Sequence, residues 1–202
     1  MKTFTFEQPK NNPTNFYWFQ SAFSREELDK IYNELQDVPF QRASVIRESG
    51  DDAGSDPIRR SNIKWIPYDD PKWSWLYLKL MDLAEIANNE MWGFDLETAP
   101  EMIQYTEYDA TELGHYGWHQ DIGPGNPSLR KISITVQLSE ADEYENGDLE
   151  IWQGGELEEA AIGPRGAGNV IIFPSYMPHR VSPVTRGIRR SFVLWLGGSH
   201  YK

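Results

Sequence analysis

Length, composition and charge restrict this protein to a few classes. The chain has 202 residues, enough for one domain with a sizeable core, and 39% are hydrophobic, including 8 Trp, which excludes a disordered chain. Its formal net charge of −12 is opposite in sign to the basic excess of nucleic-acid-binding proteins, so that class is disfavoured. The absence of cysteine excludes disulfides, thiolate metal sites and cysteine nucleophiles. Any metal must therefore be bound by histidine and carboxylate.

The hydrophobic pattern gives no sign of a membrane protein. Residues 1–19 lack the continuous apolar segment of a signal peptide, and no stretch approaches the length of a membrane span. We therefore expect a soluble, cytoplasmic or otherwise intracellular protein with no membrane partner. The sequence leaves the oligomeric state open.

Two helices are predicted before residue 100. Ser24 followed by Glu27 is the signature of a capping box, and an apolar stripe at helical spacing follows it. Asp70 and Pro71 predict the start of a second helix that ends near Met91. Between them, residues 47–62 are polar, rich in Gly, Ser and Asp, and aperiodic, which predicts a loop or a lid over a substrate.

From residue 100 onward the pattern changes to short strands. Five β-branched or aromatic runs are separated by turn signals, which is typical of a sandwich or a barrel rather than of βαβ units. We expect a mainly β (α+β) protein with a jelly-roll, cupin-like core over about 100–198. Supporting helices would come from residues 1–99, and 1–202 would form a single domain.

The segment "GWHQD" contains the first candidate metal ligands. Side chains alternate along an extended chain, so His119 and Asp121 point to the same side and can hold one ion. His179 follows a strand that stops at prolines, which makes it the best third ligand; His115 and His200 fit less well. Two histidines and one carboxylate are typical of non-haem Fe(II) oxygenases, although the same ligands also suit zinc. No other catalytic side chain is predicted.

Ten residues beyond His179 lies a candidate carboxylate anchor. We interpret "SPVTRG" as a tight turn of a hairpin that folds Arg189 back beside the metal face. Arg189 and Ser191 are two residues apart and share a face, so they offer a guanidinium fork and a hydroxyl to a carboxylate. A metal site beside such an anchor predicts a dicarboxylic co-substrate.

These residues resemble the Fe(II)- and 2-oxoglutarate-dependent dioxygenases, in particular their prolyl 4-hydroxylase-like branch. The resemblance covers residues 100–197: Tyr108, then "HQD", then "NGDLEIW" and "FPSYMPHRVSPVTRGIRRSFVLW". "RRSNIKWIP" and "ANNEMWGFDL" also match, less specifically. The resemblance implies a double-stranded β-helix, iron held by the residues His119, Asp121 and His179, and 2-oxoglutarate held by Arg189. It also places Tyr108, Trp195 and Tyr116 near the co-substrate, and puts Gln137 where some relatives have a tyrosine.

The function implied by the resemblance is hydroxylation of a substrate C–H bond, most simply in a prolyl residue of a peptide or protein. The cofactors would be Fe(II), 2-oxoglutarate and O2, with ascorbate as an optional reductant. Three alternatives stay open: a hydroxylase of a free amino acid or other small molecule, a cupin-like metal-binding module without oxygenase activity, and a peptide-binding module without iron. Loop residues Arg47, Arg59 and Arg60 are candidate substrate contacts or solvated charges.

Overall fold

A computed structural model describes residues 15–43 and 58–199. Within these ranges the chain forms two α-helices and thirteen strands. In chain order they are β1 (Tyr17–Phe19), α1 (Arg25–Leu35), β2 (Gln41–Arg42), β3 (Arg59–Arg60), β4 (Asn62–Ile66), α2 (Ser74–Met91), β5 (Ile103–Asp109), β6 (His115–His119), β7 (Arg130–Gln137), β8 (Tyr144–Asn146), β9 (Leu149–Ile151), β10 (Ala161–Ile162), β11 (Val170–Pro174), β12 (His179–Val181) and β13 (Val184–Gly197). None of the described helices is long and apolar enough to cross a membrane.

The strands form two antiparallel sheets that enclose a cavity. The large sheet has the order β1-β11-β7-β13-β5-β4-β2, with β8 beside β13, and the small sheet has the order β10-β9-β12-β6-β3. Apolar side chains from both sheets, among them Tyr108, Ile151 and Val181, pack together between them. The predicted mainly β architecture with a double-stranded β-helix core is confirmed.

Both predicted helices are present and begin as expected. The Ser24 hydroxyl accepts a hydrogen bond from the Glu27 amide, and the Glu27 carboxylate accepts one from the Ser24 amide, completing the capping box. Asp70 caps the Lys72 amide at 3.1 Å and opens a 3₁₀ turn, which continues directly into α2. The buried faces of both helices pack on the large sheet and form one cluster with its apolar side chains.

The central strands of the large sheet are buried on both faces, and their side chains alternate in character. In β7, Ile132, Ile134 and Val136 belong to the cluster beneath the helices. The intervening residues are equally buried but polar: Ser133, Thr135 and Gln137. Because neighbouring side chains point to opposite faces, these polar groups point toward the cavity. The strand pattern thus separates a helix-facing core from a polar cavity wall.

The predicted hairpin after His179 is wrong. β12 lies in the small sheet and β13 in the large sheet, and the residues expected to form its turn already belong to β13 from Val184 onward. The chain changes sheets at Ser182 and Pro183, and the proline has no N–H to donate to a ladder. The Ser182 amide donates to Asp148 and the Val184 amide to Gly114. Arg189 therefore reaches the cavity from the wall opposite His179.

Sequence patterns did not predict the strands before residue 100. β1 pairs with β11, and β4 pairs with β5, so this region contributes directly to the large sheet. Strands of two to five residues are too short to show a clear alternation, which explains the omission. Most of the predicted loop at 47–62 lies outside the described residues; its last residues form β3 and the start of β4.

Replacing Ile134 by alanine should lower the free energy of unfolding by about 2–5 kcal/mol, because the side chain is fully buried beneath the helices and leaves a cavity. Urea denaturation measures the loss. Ile162→Ala is the control, since Ile162 is 59% exposed and should change stability little. Equal losses in the two variants would contradict this assignment of the core.

Candidate metal centre

A bulge in β6 determines which histidines face the cavity. His119 pairs with His179, but Tyr116 pairs with Val181, so three steps along β6 oppose two along β12. Because a bulge adds one residue to one strand, it reverses the alternation of that strand. Tyr116 and His119 consequently both line the cavity, whereas His115 does not. His115 therefore does not join the candidate ligands at the cavity wall.

His119, Asp121 and His179 form a compact cluster. One ligand atom from each residue lies within 4.8 Å of the others. Nε2 of His119 is 3.6 Å from one Asp121 oxygen, and Nε2 of His179 is 3.4 Å from the other. Asp121 and His179 are buried, and the side chain of His119 is 14% exposed at the cavity wall. Three donor atoms therefore converge on one point from the small sheet and the turn after it.

Backbone contacts orient both imidazole rings. Nδ1 of His119 is 2.8 Å from the carbonyl oxygen of Gly117, and Nδ1 of His179 is 2.9 Å from that of Met177. A carbonyl can only accept, so each Nδ1 carries the proton and each Nε2 presents a lone pair to the cluster. Burial also lowers the pKa of His179 to about 4, against the opposing attraction of Asp121. The ring is thus neutral near pH 7, as a metal ligand must be.

Asp121 is held in its ionised form. Burial alone raises the pKa of this carboxyl group, but His179, His119 and the Ser133 hydroxyl outweigh burial, and the pKa lies below its ordinary value. The Ser133 hydroxyl donates to Oδ2 of Asp121 at 2.6 Å and contacts the Ser175 hydroxyl at 3.0 Å. The donor set is thus two imidazoles and one carboxylate, which fits a divalent metal such as Fe(II) with open positions.

The cluster opens into a cavity of about 460 Å³ that also contains the predicted anchor. Arg189 is 1% exposed, and its guanidinium donates to Ser191 Oγ at 3.2 Å and to Gln137 Oε1 at 3.0 Å. Its Nε has no hydrogen-bond partner, and no carboxylate of the described residues pairs with it. A buried cation with neutral partners only is costly, so the site fits an anionic ligand such as a dicarboxylate.

The other predicted co-substrate residues also line the cavity. The guanidinium carbon of Arg189 lies 5.4 Å from the centre of the Tyr108 ring. Trp195 is 6% exposed, and its indole N–H is buried without a partner among the described residues. Gln137 accepts a hydrogen bond from the guanidinium, and its amide donates to the carbonyl of Pro164 at 3.3 Å.

Several residues of the site escaped sequence analysis. Arg130 forms a close ion pair with Glu101, at 2.5 and 2.6 Å, and its guanidinium lies 3.8 Å from the Trp195 ring. Arg59, predicted as a loop residue that either contacts the substrate or is solvated, lines the cavity wall beside Tyr116. The alternation within β7 could have indicated Ser133. By contrast, no local pattern pairs Arg130 with a glutamate 29 residues earlier. Arg47 and His200 lie outside the described residues.

Comparison with known proteins identifies the domain. The family model described as the 2OG-Fe(II) oxygenase superfamily matches residues 103–197. These residues belong to that superfamily. They contain all three residues of the cluster and Arg189, and the family implies Fe(II), 2-oxoglutarate and O2 as cofactors.

Curated relatives of the oxygenase domain are PKHD-type hydroxylases. One from Teredinibacter turnerae is 40% identical over 92 residues, which are 41% of this chain and 38% of the relative. Another, from a Synechococcus strain, is 33% identical over 131 residues, which are 62% of this chain and 57% of the relative. The chain thus spans about half the length of these relatives.

Solved structures share the fold at low sequence identity. A prolyl hydroxylase from Trichoplax adhaerens, in complex with a peptide fragment of hypoxia inducible factor, superimposes with a TM-score of 0.71 at 17% identity. The match covers 91% of this chain and 84% of that one. A prolyl-4-hydroxylase from Pseudomonas putida gives 0.66 at 19% identity, covering 92% and 94%. Both confirm the double-stranded β-helix.

Replacing His119 by alanine should abolish tight binding of Mn(II), used as a stable probe for a divalent ion, because only two protein ligands remain. His115→Ala is a matched control on the same strand, and it should bind Mn(II) like the unmodified protein. Calorimetric titration without oxygen measures both affinities. Loss of binding in both variants, or in neither, would contradict the cluster assignment.

Ser133→Ala should weaken Mn(II) binding by about 10–100-fold, because the hydroxyl that orients Asp121 is removed while all three ligands stay. Ser139→Ala removes an equally buried hydroxyl that binds backbone groups of Ile188 and Arg190 outside the cavity. That control should retain full affinity in the same titration. Unchanged affinity in Ser133→Ala would show that this contact does not orient the ligand.

Proposed function

We propose that the protein is an Fe(II)- and 2-oxoglutarate-dependent dioxygenase that hydroxylates a C–H bond in a prolyl residue of a peptide or protein. One observation carries the proposal: a cluster of two histidines and one aspartate shares a cavity with a buried arginine that pairs with no carboxylate of the described residues. The first feature suits a divalent metal, and the second suits the far carboxylate of a dicarboxylic co-substrate.

In this proposal His119, Asp121 and His179 would hold the metal. Fe(II) bound there supplies oxidative decarboxylation of 2-oxoglutarate by O2, coupled to insertion of one oxygen atom into the substrate. The contribution of the protein is geometric. Ser133 fixes the carboxylate, the Gly117 and Met177 carbonyls fix the imidazoles, and no side chain has to act as a general base.

Arg189 determines where the co-substrate lies. Gln137 and Ser191 hold the guanidinium from two neighbouring strands, so a carboxylate meets a cation that is already oriented. The Nε of Arg189 has no hydrogen-bond partner among the described residues, and the Tyr108 ring lies 5.4 Å from the guanidinium carbon. A carboxylate bound to Arg189 would complete the polar contacts of the guanidinium. We assign cofactor binding to Arg189, Ser191, Tyr108 and Trp195, with Gln137 as a further member.

Apolar groups shield the reacting centre. The ring of Phe173 lies 4.6 Å from that of His179, and the Tyr116 ring stacks on His119 at 3.5 Å. These rings restrict the imidazoles to one orientation and exclude water from their edges, which strengthens the electrostatic contacts at the cluster. Burial raises the pKa of Tyr116 to about 12, so its hydroxyl stays protonated and adds no charge beside His119.

The prolyl substrate and the single-domain organisation also belong to the proposal. The PKHD-type hydroxylase relatives and the peptide bound to the Trichoplax prolyl hydroxylase support a peptide substrate. Pairing of β1 with β11 and of β4 with β5 supports one domain in which the helical region, about 1–99, and the core, about 100–198, act together.

Anaerobic addition of 2-oxoglutarate to the Fe(II)-loaded protein should produce a weak visible charge-transfer band, because the co-substrate chelates the metal. Arg189→Gln should raise the 2-oxoglutarate concentration needed for half of this band by about tenfold or more, since a charge-assisted contact is lost. Arg190→Gln is the control: its side chain pairs with Glu107 rather than lining the cavity. The proposal fails if folded protein gives no band. Mass spectrometry of proline-containing peptides after aerobic turnover then tests the substrate.

A further inference from the structure

The arginines that line the cavity fall into two groups. There are four of them, Arg42, Arg59, Arg130 and Arg189, against two carboxylates, Glu101 and Asp121. Arg42 pairs with Glu112, and Arg130 pairs with Glu101. Arg59 and Arg189 have no carboxylate partner among residues 15–43 and 58–199. The proposed co-substrate accounts for Arg189 only, and Arg59 remains as a second cation facing the same cavity.

Neutral groups hold Arg59 in place. Its Nε donates to the Ser61 hydroxyl at 3.0 Å, and one terminal nitrogen donates to Oε1 of Gln104 at 2.6 Å. The guanidinium lies 4.7 Å from the centre of the Tyr116 ring. The residue is half-buried, so these contacts fix the planar fork while part of its donor capacity stays unused. An oriented guanidinium with spare donors is suited to binding a carboxylate in a bidentate manner.

Arg59 lies close to the metal cluster through a stack of side chains. β3 pairs with β6 so that Arg59 is opposite Tyr116, and the two side chains share a face. The Tyr116 ring in turn stacks on His119, with 3.5 Å between ring centres and an angle of 13°. The Arg59 guanidinium and the His119 ring thus both contact the Tyr116 ring, and all three side chains line the same cavity.

The Arg59 position is distinct from the Arg189 position. Arg189 pairs with Tyr108 across the large sheet, and the Arg59 partner Gln104 lies four residues from Tyr108 on the same strand. Four residues of a strand span about 13 Å. Arg59 and Arg189 are therefore anchored at different positions of β5, and the proposed co-substrate, whose two ends are assigned to Arg189 and the metal cluster, leaves Arg59 without an anion.

We propose that Arg59 binds a carboxylate carried by the substrate, and that the protein therefore prefers acidic substrates to their neutral analogues. This inference deepens the proposed function and rests on it for the identity of the second ligand. The carboxylate has two sources that share this chemistry: the free α-carboxylate of an amino acid or peptide end, and an acidic side chain next to the reacting residue.

Two pairs of probes separate these sources. N-acetylproline against N-acetylprolinamide tests an α-carboxylate, and N-acetyl-aspartyl-prolinamide against its asparaginyl analogue tests a side-chain carboxylate. Saturation-transfer NMR titration measures their affinities for protein loaded with Zn(II), which supports no oxygen chemistry, and saturated with 2-oxoglutarate to occupy Arg189. In at least one pair we expect the acid to bind about tenfold more tightly than the amide.

Arg59→Gln should remove this preference, Arg59→Lys should keep part of it, and the exposed neighbour Arg60→Gln should keep all of it. Equal binding of acid and amide in both pairs, or an undiminished preference in Arg59→Gln, would overturn the inference. The same titration in Arg189→Gln protein without 2-oxoglutarate separates the two proposals. If unmodified protein does not bind 2-oxoglutarate, the proposed function fails, whereas an acid preference in Arg189→Gln that depends on Arg59 would still support the second anion site.

Discussion

The two-residue period of the central strands is the constraint on which the rest of this structure depends. β5, β7 and β13 are buried on both faces, with helices on one side and the cavity on the other. Phe192 and Leu194 of β13 pack beneath the helices, while Arg189 and Ser191 face the cavity. A slip of one residue would bury the guanidinium among aliphatic side chains, so the core fixes the register and the register fixes the site.

The same constraint explains why the polar side chains of the cavity are oriented before any ligand binds. Side chains on the polar face are surrounded by protein and must satisfy one another, as Ser133 does for Asp121 and Gln137 does for Arg189. Such contacts compensate only in part for the removal of charges from water. Burial of these groups therefore lowers the stability of the ligand-free protein, and the ligand supplies the missing partner. This is the usual arrangement of a preorganised binding site.

The sequence predicted the residues of the candidate site better than it predicted how the strands are connected and paired. Histidine and aspartate two residues apart, with Arg189 ten residues after His179, predicted side chains that the structure brings into one cavity, because residue type limits what can bind a metal or a carboxylate. The bulge in β6 and the change of sheet at Pro183 are different in kind. Both depend on pairing with strands distant in sequence, so no local pattern encodes them. The sequence left Arg59 as either a substrate contact or a solvated charge for the same reason, since β3 is only two residues long and its place in the cavity wall depends on its pairing with β6.

Charge pairing inside the cavity, rather than net charge, decides where an anion binds. The chain carries −12 overall, yet the cavity wall has more arginines than carboxylates. At physiological ionic strength exposed charges are screened over about 8 Å, so the acidic exterior has little influence on a ligand already inside. Glu101 on the cavity wall pairs with Arg130, and Glu112 outside the lining pairs with Arg42, which leaves the remaining two guanidinium groups as the positions that attract an anion. The glutamates therefore contribute to specificity by withdrawing two of the four cations from ligand binding.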